Sequence, residues 1–168
     1  MDAPEDQAGA ISRFREGPAL LEGIVTGLPD DVLDAVPSGG GWTIRQIVHH
    51  VADGDDIWKL GIKIAMGSDD AEFSLGWYGA LPQETWSERW AYASRPVQGS
   101  ISLLKASREH ILQLIEHAPA VWTQAVRLRT ADGQIERVPV GFVIQMQSDH
   151  LVHHLKRIRE ILQEQSGD

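Results

Sequence analysis

Histidines are the residues of this sequence with the most evident capacity for chemistry, and five of the seven fall into two short segments. One segment contains His49 and His50, and the other contains His150, His153 and His154. His150 and His154 are four residues apart, so on a helix they share one face and both imidazoles can reach one metal ion. His50, flanked by apolar residues, can supply a third imidazole from the other segment. Three histidines leave coordination positions open, which is typical of catalytic metals rather than structural ones.

The other histidines have different expected roles. His49 and His153 each adjoin a predicted ligand, and neighbouring side chains on a helix differ in direction by about 100°. We therefore expect His49 and His153 to lie beside the metal or at the surface rather than to bind it. His110 and His117 are seven residues apart in a third segment, and we expect them to face solvent or to pack.

Two carboxylates and several tryptophans are further candidates for the site. Asp53 follows the His49–His50 pair by about one turn, and Asp149 directly precedes His150. Either carboxylate could accept a hydrogen bond from a ligand imidazole and fix its tautomer, or be an ordinary solvated side chain. Five tryptophans could wall a substrate pocket, although aromatic residues of a small bundle more often lie in the core or at a dimer interface. These tryptophans are Trp42, Trp58, Trp77, Trp86 and Trp90.

Several common catalytic motifs are absent from the sequence. It contains neither His-Glu-x-x-His nor Glu-x-x-His, which argues against a zincin and against the usual di-iron bundle ligands. It also lacks the Gly-x-Ser-x-Gly, P-loop and Gly-x-Gly-x-x-Gly motifs. Acyl-serine, nucleotide and dinucleotide chemistry therefore have no support.

Four stretches with apolar residues at helical spacing have to position these side chains. They cover approximately residues 7–27, 42–67, 96–118 and 140–163. Each has one apolar stripe, and four such stripes can be buried only against one another. The sequence therefore predicts an all-α four-helix bundle, with the predicted metal ligands on the second and fourth helices. We expect a single domain over residues 1–168.

Local signals refine the ends of these helices. Gly17 and Pro18 are expected to interrupt the first helix, with Pro18 in the first turn of its longer piece. Thr43 is the expected N-cap of the second helix, and Gln46 supplies the other half of a capping box.

The connections between the helices differ in length and character. Residues 122–138 alternate in character around Ala131-Asp132-Gly133, which predicts a small β-hairpin between the third and fourth helices. The connection that begins at residue 68 is longer and includes a short helical turn near Trp86 and Trp90. A connection of that length indicates a crossover between the second and third helices.

The composition restricts the partners and the location. The chain has 168 residues and a net charge of -9, which opposes binding to the phosphates of a nucleic acid. No apolar stretch approaches the ~20 residues that span a membrane. The acidic N-terminus lacks the apolar region of a secretory signal, and there are no cysteines. A cytoplasmic protein that acts on a small molecule is the expectation.

Two segments of the sequence resemble one known family, that of the DinB/YfiT-like metalloenzymes. Residues 41–53, Gly-Trp-Thr-Ile-Arg-Gln-Ile-Val-His-His-Val-Ala-Asp, look like the second-helix motif of that family. Residues 149–154, Asp-His-Leu-Val-His-His, look like its closing helix with the pattern His-x-x-x-His. The likeness extends over nearly the whole chain and, carried over by position, implies His50, His150 and His154 as metal ligands.

The resemblance also implies properties that the residues alone do not. It implies a bundle with unusual connections, a divalent transition metal such as nickel or zinc, and frequently a homodimer. It further implies either a metal-dependent hydrolase or a transferase that uses a low-molecular-weight thiol. Asp55 and Arg157 stand where relatives often carry further histidines, so the resemblance does not extend to a shared substrate.

Three hypotheses for the function follow. In the first, the chain is an enzyme whose metal lowers the pKa of water towards ~7 or binds a thiolate. In the second, it is a non-catalytic helical dimer or binding module with a structural or vestigial metal. In the third, the histidines only pack. A closed four-ligand site would favour the second hypothesis, and an open three-ligand site would favour the first.

Overall fold

Four long helices form the body of the molecule. The computed structural model describes residues 2–130 and 132–167. The long helices are α1 (Gln7–Val25), α3 (Ile44–Gly67), α6 (Val97–His117) and α7 (Val140–Ser166). The shorter elements are α2 (Asp30–Leu33), β1 (Glu72–Ser74), α4 (Gly76–Gly79), α5 (Gln83–Arg89), a 3-10 helix (Pro119–Thr123), β2 (Ala125–Arg129) and β3 (Ile135–Pro139). The predicted four-helix bundle is confirmed.

Two apolar clusters fill the bundle, one near each end. The sheet-end core is formed by Phe14, Ile62, Ile111, Ile144 and their neighbours, together with side chains of the small sheet. The histidine-end core is formed by Leu21, Val48, Leu104, Leu155 and their neighbours. Each long helix contributes to both cores, so the order in which it meets them gives its direction. α1 and α7 run from the sheet end to the histidine end, and α3 and α6 run the opposite way.

This arrangement confirms the predicted crossover. α3 and α6 pack directly against each other, as do α1 and α7. Further contacts join α3 to α7 and α1 to α6. Neighbours α3 and α6 are therefore parallel, and the chain between them must return along the length of the bundle. Residues 68–96 make that return.

Among the described residues, no helix combines the length and the apolar character needed to cross a membrane.

The second long helix begins where the sequence predicts. The Thr43 side chain accepts a hydrogen bond from the backbone N–H of Gln46 at 3.3 Å, and the Gln46 side chain accepts one from the Thr43 backbone N–H at 3.0 Å. This capping box satisfies two N–H groups that a helix start leaves free. It fixes the first turn of α3, two turns before His50.

The predicted break at Gly17 and Pro18 is wrong. α1 continues through both residues. Proline has no N–H, so the helix leaves the carbonyl oxygen of Phe14 without its usual donor. Nη1 of Arg108 on α6 donates to that oxygen at 3.2 Å. A contact from another helix therefore compensates for the missing hydrogen bond and allows the helix to stay continuous.

A small sheet packs against one end of the bundle. β2 and β3 are antiparallel, which confirms the predicted hairpin. Gly133, in the turn of this hairpin, has a φ of 84°. Ala131 of the predicted turn lies outside the described residues. β1 pairs with β2 in parallel and was not predicted. Its three residues alternate between exposed and buried, but a segment this short gives no strand signal in the sequence. Its buried residue, Phe73, packs against Trp58 in the sheet-end core.

Candidate metal centre

Three histidine side chains from two helices converge on one point. His50 comes from α3, and His150 and His154 come from successive turns of α7. Nε2 of His150 lies 3.0 Å from Nε2 of His50 and 3.0 Å from Nε2 of His154. A ligand atom from each of the three lies within 4.8 Å of the others. The structure thus brings together the three residues that the sequence and the resemblance select.

The spacing of these nitrogens fits a shared metal ion. Two nitrogens bound at ~2.0–2.1 Å to one metal, at angles between 90° and 109°, lie roughly 2.9–3.4 Å apart. The two Nε2–Nε2 distances of 3.0 Å fall in that range. Hydrogen bonding alone fits less well, because a neutral imidazole nitrogen has either one lone pair or one proton. Nε2 of His150 cannot accept from both neighbours at once, whereas a cation can be bound by all three lone pairs together.

The three imidazoles are held in the neutral form that a metal requires. Burial lowers the pKa of His50 to about 4, with a further contribution from His150. Burial also lowers the pKa of His150 to about 4 and that of His154 to about 3, and neighbouring histidines add to both shifts. Such closely spaced groups titrate together. Proton competition with a metal is therefore expected well below the pH of ~6.5 that applies to a free imidazole.

In two of the three ligand rings, the nitrogen that faces away from the centre has no hydrogen-bond partner among the described residues. Nδ1 of His50 and Nδ1 of His154 are buried without a hydrogen-bond partner among the described residues. The His50 ring instead packs edge-to-face with the ring of Trp42, with the two ring centroids 4.6 Å apart. Packing against an aromatic ring, rather than a hydrogen bond to a carboxylate, holds this imidazole in place.

The two carboxylates proposed as partners of the ligands lie elsewhere. Asp149 is exposed and accepts a hydrogen bond from Gln145 at 2.7 Å. Asp53 lies 3.5 Å from Nη2 of Arg95. Neither hydrogen bonds to a ligand imidazole. Asp149 is adjacent to His150 and so points about 100° away from it around the helix. Asp53 is four positions after His49, and both side chains contact Arg95.

His49 is buried beside the centre and points towards α6. Its Nε2 lies 3.0 Å from the carbonyl oxygen of Arg95. A carbonyl can only accept, so neutral His49 carries its proton on Nε2 and its Nδ1 accepts from Ser100 Oγ at 2.7 Å. Burial lowers the pKa of His49. His49 therefore joins α3 to the start of α6, and its lone pair is directed away from the three ligands.

The remaining histidines are placed as predicted. His110 and His117 are exposed on α6 and His153 is exposed on α7. The His153 ring contacts that of His154, with centroids 5.2 Å apart. None of these three belongs to the cluster of potential metal ligands among the described residues.

A buried polar layer that sequence reasoning missed lies between the two cores. Arg108 and Asp55 are almost inaccessible to solvent, and Nε of Arg108 donates to Asp55 Oδ2 at 2.6 Å. Nη2 of Arg108 also donates to the carbonyl oxygen of Gln147 at 3.0 Å. Burial raises the pKa of Asp55 and the guanidinium opposes that rise. An arginine and an aspartate at core-facing positions of their helices were the only sequence signal of this pair.

The five candidate tryptophans lie in three different surroundings. Trp58 packs against the sheet-end core. Trp77, Trp86 and Trp90 form an aromatic cluster with Tyr78, in which the rings of Trp86 and Trp90 are 5.0 Å apart. That cluster lies outside the three-histidine centre, so of the five candidates only Trp42 contacts a predicted ligand.

Comparison with known proteins agrees with this geometry. The family model of the DinB superfamily matches residues 13–158. A protein of Oceanobacillus iheyensis is 25% identical over 151 residues, covering 90% of this chain and 83% of the relative. A protein of Geobacillus thermodenitrificans is 27% identical over 157 residues, covering 94% and 84%. Both relatives are named "Putative metal-dependent hydrolase".

A solved structure has the same fold. YfiT from Bacillus subtilis matches 99% of this chain and 91% of its own, with a TM-score of 0.78 and 23% sequence identity. It is described as having "an unusual four-helix bundle topology", which agrees with the parallel pairing of α3 and α6. The solved structure shows the same fold, and the family model over residues 13–158 shows that the chain belongs to the DinB superfamily.

Proposed function

We propose that this chain binds one divalent transition metal through His50, His150 and His154 and catalyses the metal-dependent hydrolysis of a small molecule. The convergence of three Nε2 atoms carries the proposal, with that of His150 lying 3.0 Å from each of the other two. The names of the relatives, which describe metal-dependent hydrolases, support it.

The ligand set favours particular metals and an open site. Imidazole nitrogens suit zinc and nickel better than magnesium or calcium. Within residues 2–130 and 132–167, no fourth histidine, aspartate or glutamate joins the cluster. Three protein ligands leave room for water and substrate, as in catalytic centres. This favours the enzyme over a structural or vestigial metal site.

The protein's own part in the proposed reaction is to hold and orient the three imidazoles that would bind the metal. A bound divalent metal would supply Lewis acidity and a nucleophile from water at neutral pH. The chain keeps the three imidazoles neutral by burial and fixes the His50 ring against Trp42. The capping box at Thr43 and Gln46 sets the start of the helix that presents His50.

Other properties implied by the resemblance remain predictions. Transfer from a low-molecular-weight thiol such as bacillithiol or mycothiol would need a site for that cosubstrate at the centre. No contact among the described residues favours such a transfer over hydrolysis, so hydrolysis is the activity proposed. The homodimer that the resemblance implies and the cytoplasmic location expected from the composition likewise remain predictions.

The test compares two neighbouring histidines. Untagged wild-type protein, His154→Ala and His153→Ala would be assayed against a panel of small amides and esters, each protein before and after chelation and with added zinc or nickel. We expect metal-dependent turnover in the wild type and in His153→Ala, and none in His154→Ala. Metal-loaded wild type that hydrolyses no member of the panel would count against hydrolysis, while equal turnover by both variants would exclude this centre.

A further inference from the structure

The position of Trp42 depends on the side chains around it more than on its own segment of chain. It follows three consecutive glycines, of which Gly40 and Gly41 have φ values of 76° and 98°. Glycine is conformationally permissive, so this loop alone does not hold the indole in one place. The Trp42 ring lies 4.6 Å from that of His50 and 6.4 Å from that of Tyr92, at interplanar angles of 72° and 90°. Trp42 therefore links a predicted metal ligand to a residue of the crossover.

Tyr92 is directed into the bundle by a strained turn at the end of α5. The N–H of Ala91 donates to the Glu88 carbonyl at 3.1 Å, and the N–H of Tyr92 donates to the Ser87 carbonyl at 2.9 Å. This pattern closes a helix through a residue in the left-handed conformation, a place that glycine usually takes. Ala91 occupies it here with a φ of 53°. Such strain persists where the surrounding structure fixes the residue, and Tyr92, the next residue, is only 1% exposed.

The crossover is attached to α3 on both sides of Tyr92 in the sequence. Before it, Ser87 Oγ accepts a hydrogen bond from Gln46 Nε2 at 3.2 Å. After it, the carbonyl oxygen of Arg95 lies 3.0 Å from Nε2 of His49. The Tyr92 ring itself lies 5.5 Å from the ring of His49. These contacts fix the tyrosine ring relative to the helix that carries the first predicted ligand.

The orientation of the His50 imidazole relies on packing. Ligand imidazoles are usually oriented by an acceptor at the nitrogen that does not bind the metal. Nδ1 of His50 is buried and has no hydrogen-bond partner among the described residues. Its ring instead packs against Trp42 and against the other two ligands, His150 and His154. A shift of Trp42 would therefore leave the His50 ring free to turn on one side.

We propose that Tyr92 is a positioning residue of the metal centre. Its ring holds Trp42 against His50 and thereby keeps the Nε2 lone pair of His50 directed at the metal. This role rests on the metal binding put forward in the proposed function, and it does not depend on which reaction the metal catalyses. The ring of Tyr92 performs it, whereas the hydroxyl group lies beside Asp53 and is not required.

Cobalt titrations of untagged, chelator-treated protein test this role. Binding of Co²⁺ would be measured from its visible absorption and by competition with a chelator. We expect Tyr92→Leu to weaken cobalt binding by a factor of roughly three to ten, because a group that orients a ligand is lost. The visible bands of its saturated complex should also change, because the geometry around the metal differs. Tyr92→Phe keeps the ring and should match wild type in both measurements.

A double-variant cycle shows whether Tyr92 acts through Trp42. Trp42→Leu should weaken cobalt binding by a factor of roughly ten, because it removes the ring in contact with His50. In that background, Tyr92→Leu should add less than about a twofold loss, because the indole that it supported is absent. Full additivity of the two losses would overturn the proposed role.

Phe73→Leu is the matched control for general destabilisation. Phe73 is 5% exposed and packs against Trp58 in the sheet-end core, away from the ligands. This variant truncates a buried ring in the same way as Tyr92→Leu, and it should leave cobalt affinity unchanged. Circular dichroism would confirm that each variant is folded at the temperature of the titration. Tyr92→Met, with a more adaptable side chain, replaces Tyr92→Leu if the latter does not fold.

The outcomes separate this role from the proposed function. Wild type that binds no cobalt would contradict the metal site and, with it, the role of Tyr92. Wild type and Tyr92→Leu that bind cobalt with the same affinity and absorption would overturn the role of Tyr92 alone. A loss in Tyr92→Leu that Phe73→Leu or Tyr92→Phe reproduces would also overturn it, because that loss would not come from the support of Trp42 by the tyrosine ring.

Discussion

Nη1 of Arg108 donates a hydrogen bond to the carbonyl oxygen of Phe14, 3.2 Å away. That oxygen is free because the residue four positions later is Pro18, which has no N–H. The same guanidinium binds Asp55 and the Gln147 carbonyl and lies 4.4 Å over the Phe14 ring. One side chain from α6 thereby contacts all three other long helices between the two cores.

This arrangement makes the Arg108–Asp55 pair important for stability. Arg108→Met should destabilise the fold by about 3–5 kcal/mol, because it leaves Asp55 buried without its counter-charge. Urea unfolding followed by circular dichroism would measure the change. The double variant Arg108→Met/Asp55→Leu should be less destabilised than Arg108→Met, because it removes the uncompensated charge as well.

An exposed ion pair between α1 and α6 provides the comparison. Nη2 of Arg15 lies 3.0 Å from Glu116 Oε1, and both side chains are more than half exposed. Arg15→Met should cost no more than about 1 kcal/mol, since exposed ion pairs contribute little. Similar losses for Arg15→Met and Arg108→Met would contradict the importance given to the buried layer.

The metal content of the protein should depend on the three predicted ligands and should not depend on His153. Untagged protein purified without chelator should carry close to one equivalent of zinc, nickel or a similar metal per chain. His50→Ala, His150→Ala and His154→Ala should each lose most of it, because two protein ligands remain. His153→Ala should retain it, because that side chain is exposed outside the cluster. Elemental analysis measures the metal content of each of these proteins. Wild-type protein that carries no metal would contradict the proposed metal site.

His49→Ala tests the neighbouring position separately. The three ligands stay intact in this variant, so metal should be retained. The variant also leaves Ser100 and the Arg95 carbonyl without their partner, which should lower stability by about 1–3 kcal/mol. Loss of metal with unchanged stability would show that His49 acts on the centre directly.

The stability of metal-free protein should fall as the pH is lowered below ~6.5. The pKa values of His50 and His150 are about 4 in the folded chain and ~6.5 in the unfolded chain. Between these values the unfolded chain binds more protons, so stability rises with pH in this window and is lost as the pH falls through it. Urea midpoints at several pH values in chelator would show the slope.

A variant isolates the contribution of the cluster to that slope. His150→Gln should reduce the pH dependence by up to about one proton, whereas His110→Gln, on the exposed side of α6 and outside the cluster, should change it less. Other titrating groups, including Asp55, are common to all three proteins and cancel in the comparison. An identical slope for wild type and His150→Gln would contradict the inferred pKa shift.

A close approach of α7 to the 3-10 helix should not tolerate a side chain. A Cβ at Gly141 would lie 2.5 Å from Cε2 of Trp122, a rigid ring atom. Gly141→Ala should therefore destabilise the fold by about 1–3 kcal/mol through overpacking. Gly23→Ala, in an exposed position of α1 with no atom within 4 Å, should instead stabilise by about 0.5–1 kcal/mol. Thermal melting of both variants would check the opposite signs.

Properties that depend on neighbouring residues were determined by the sequence itself. Helical periodicity sufficed for the four long helices, and the capping box at Thr43 followed from two residues three apart. The shared face of His150 and His154 also followed, because helix geometry sets the relative direction of side chains four positions apart. The choice of His50 over His49 used the same local rule together with the family resemblance.

Properties that depend on distant segments were decided only by the tertiary structure. The continuity of α1 through Pro18 requires a donor from Arg108, which lies 94 positions away from Phe14. The parallel pairing of α3 and α6, the addition of β1 to the hairpin and the contacts of His49 and Asp53 are of the same kind. Their free energies arise when separate helices pack and exclude water, and no local pattern in the sequence specifies which partner each side chain will meet.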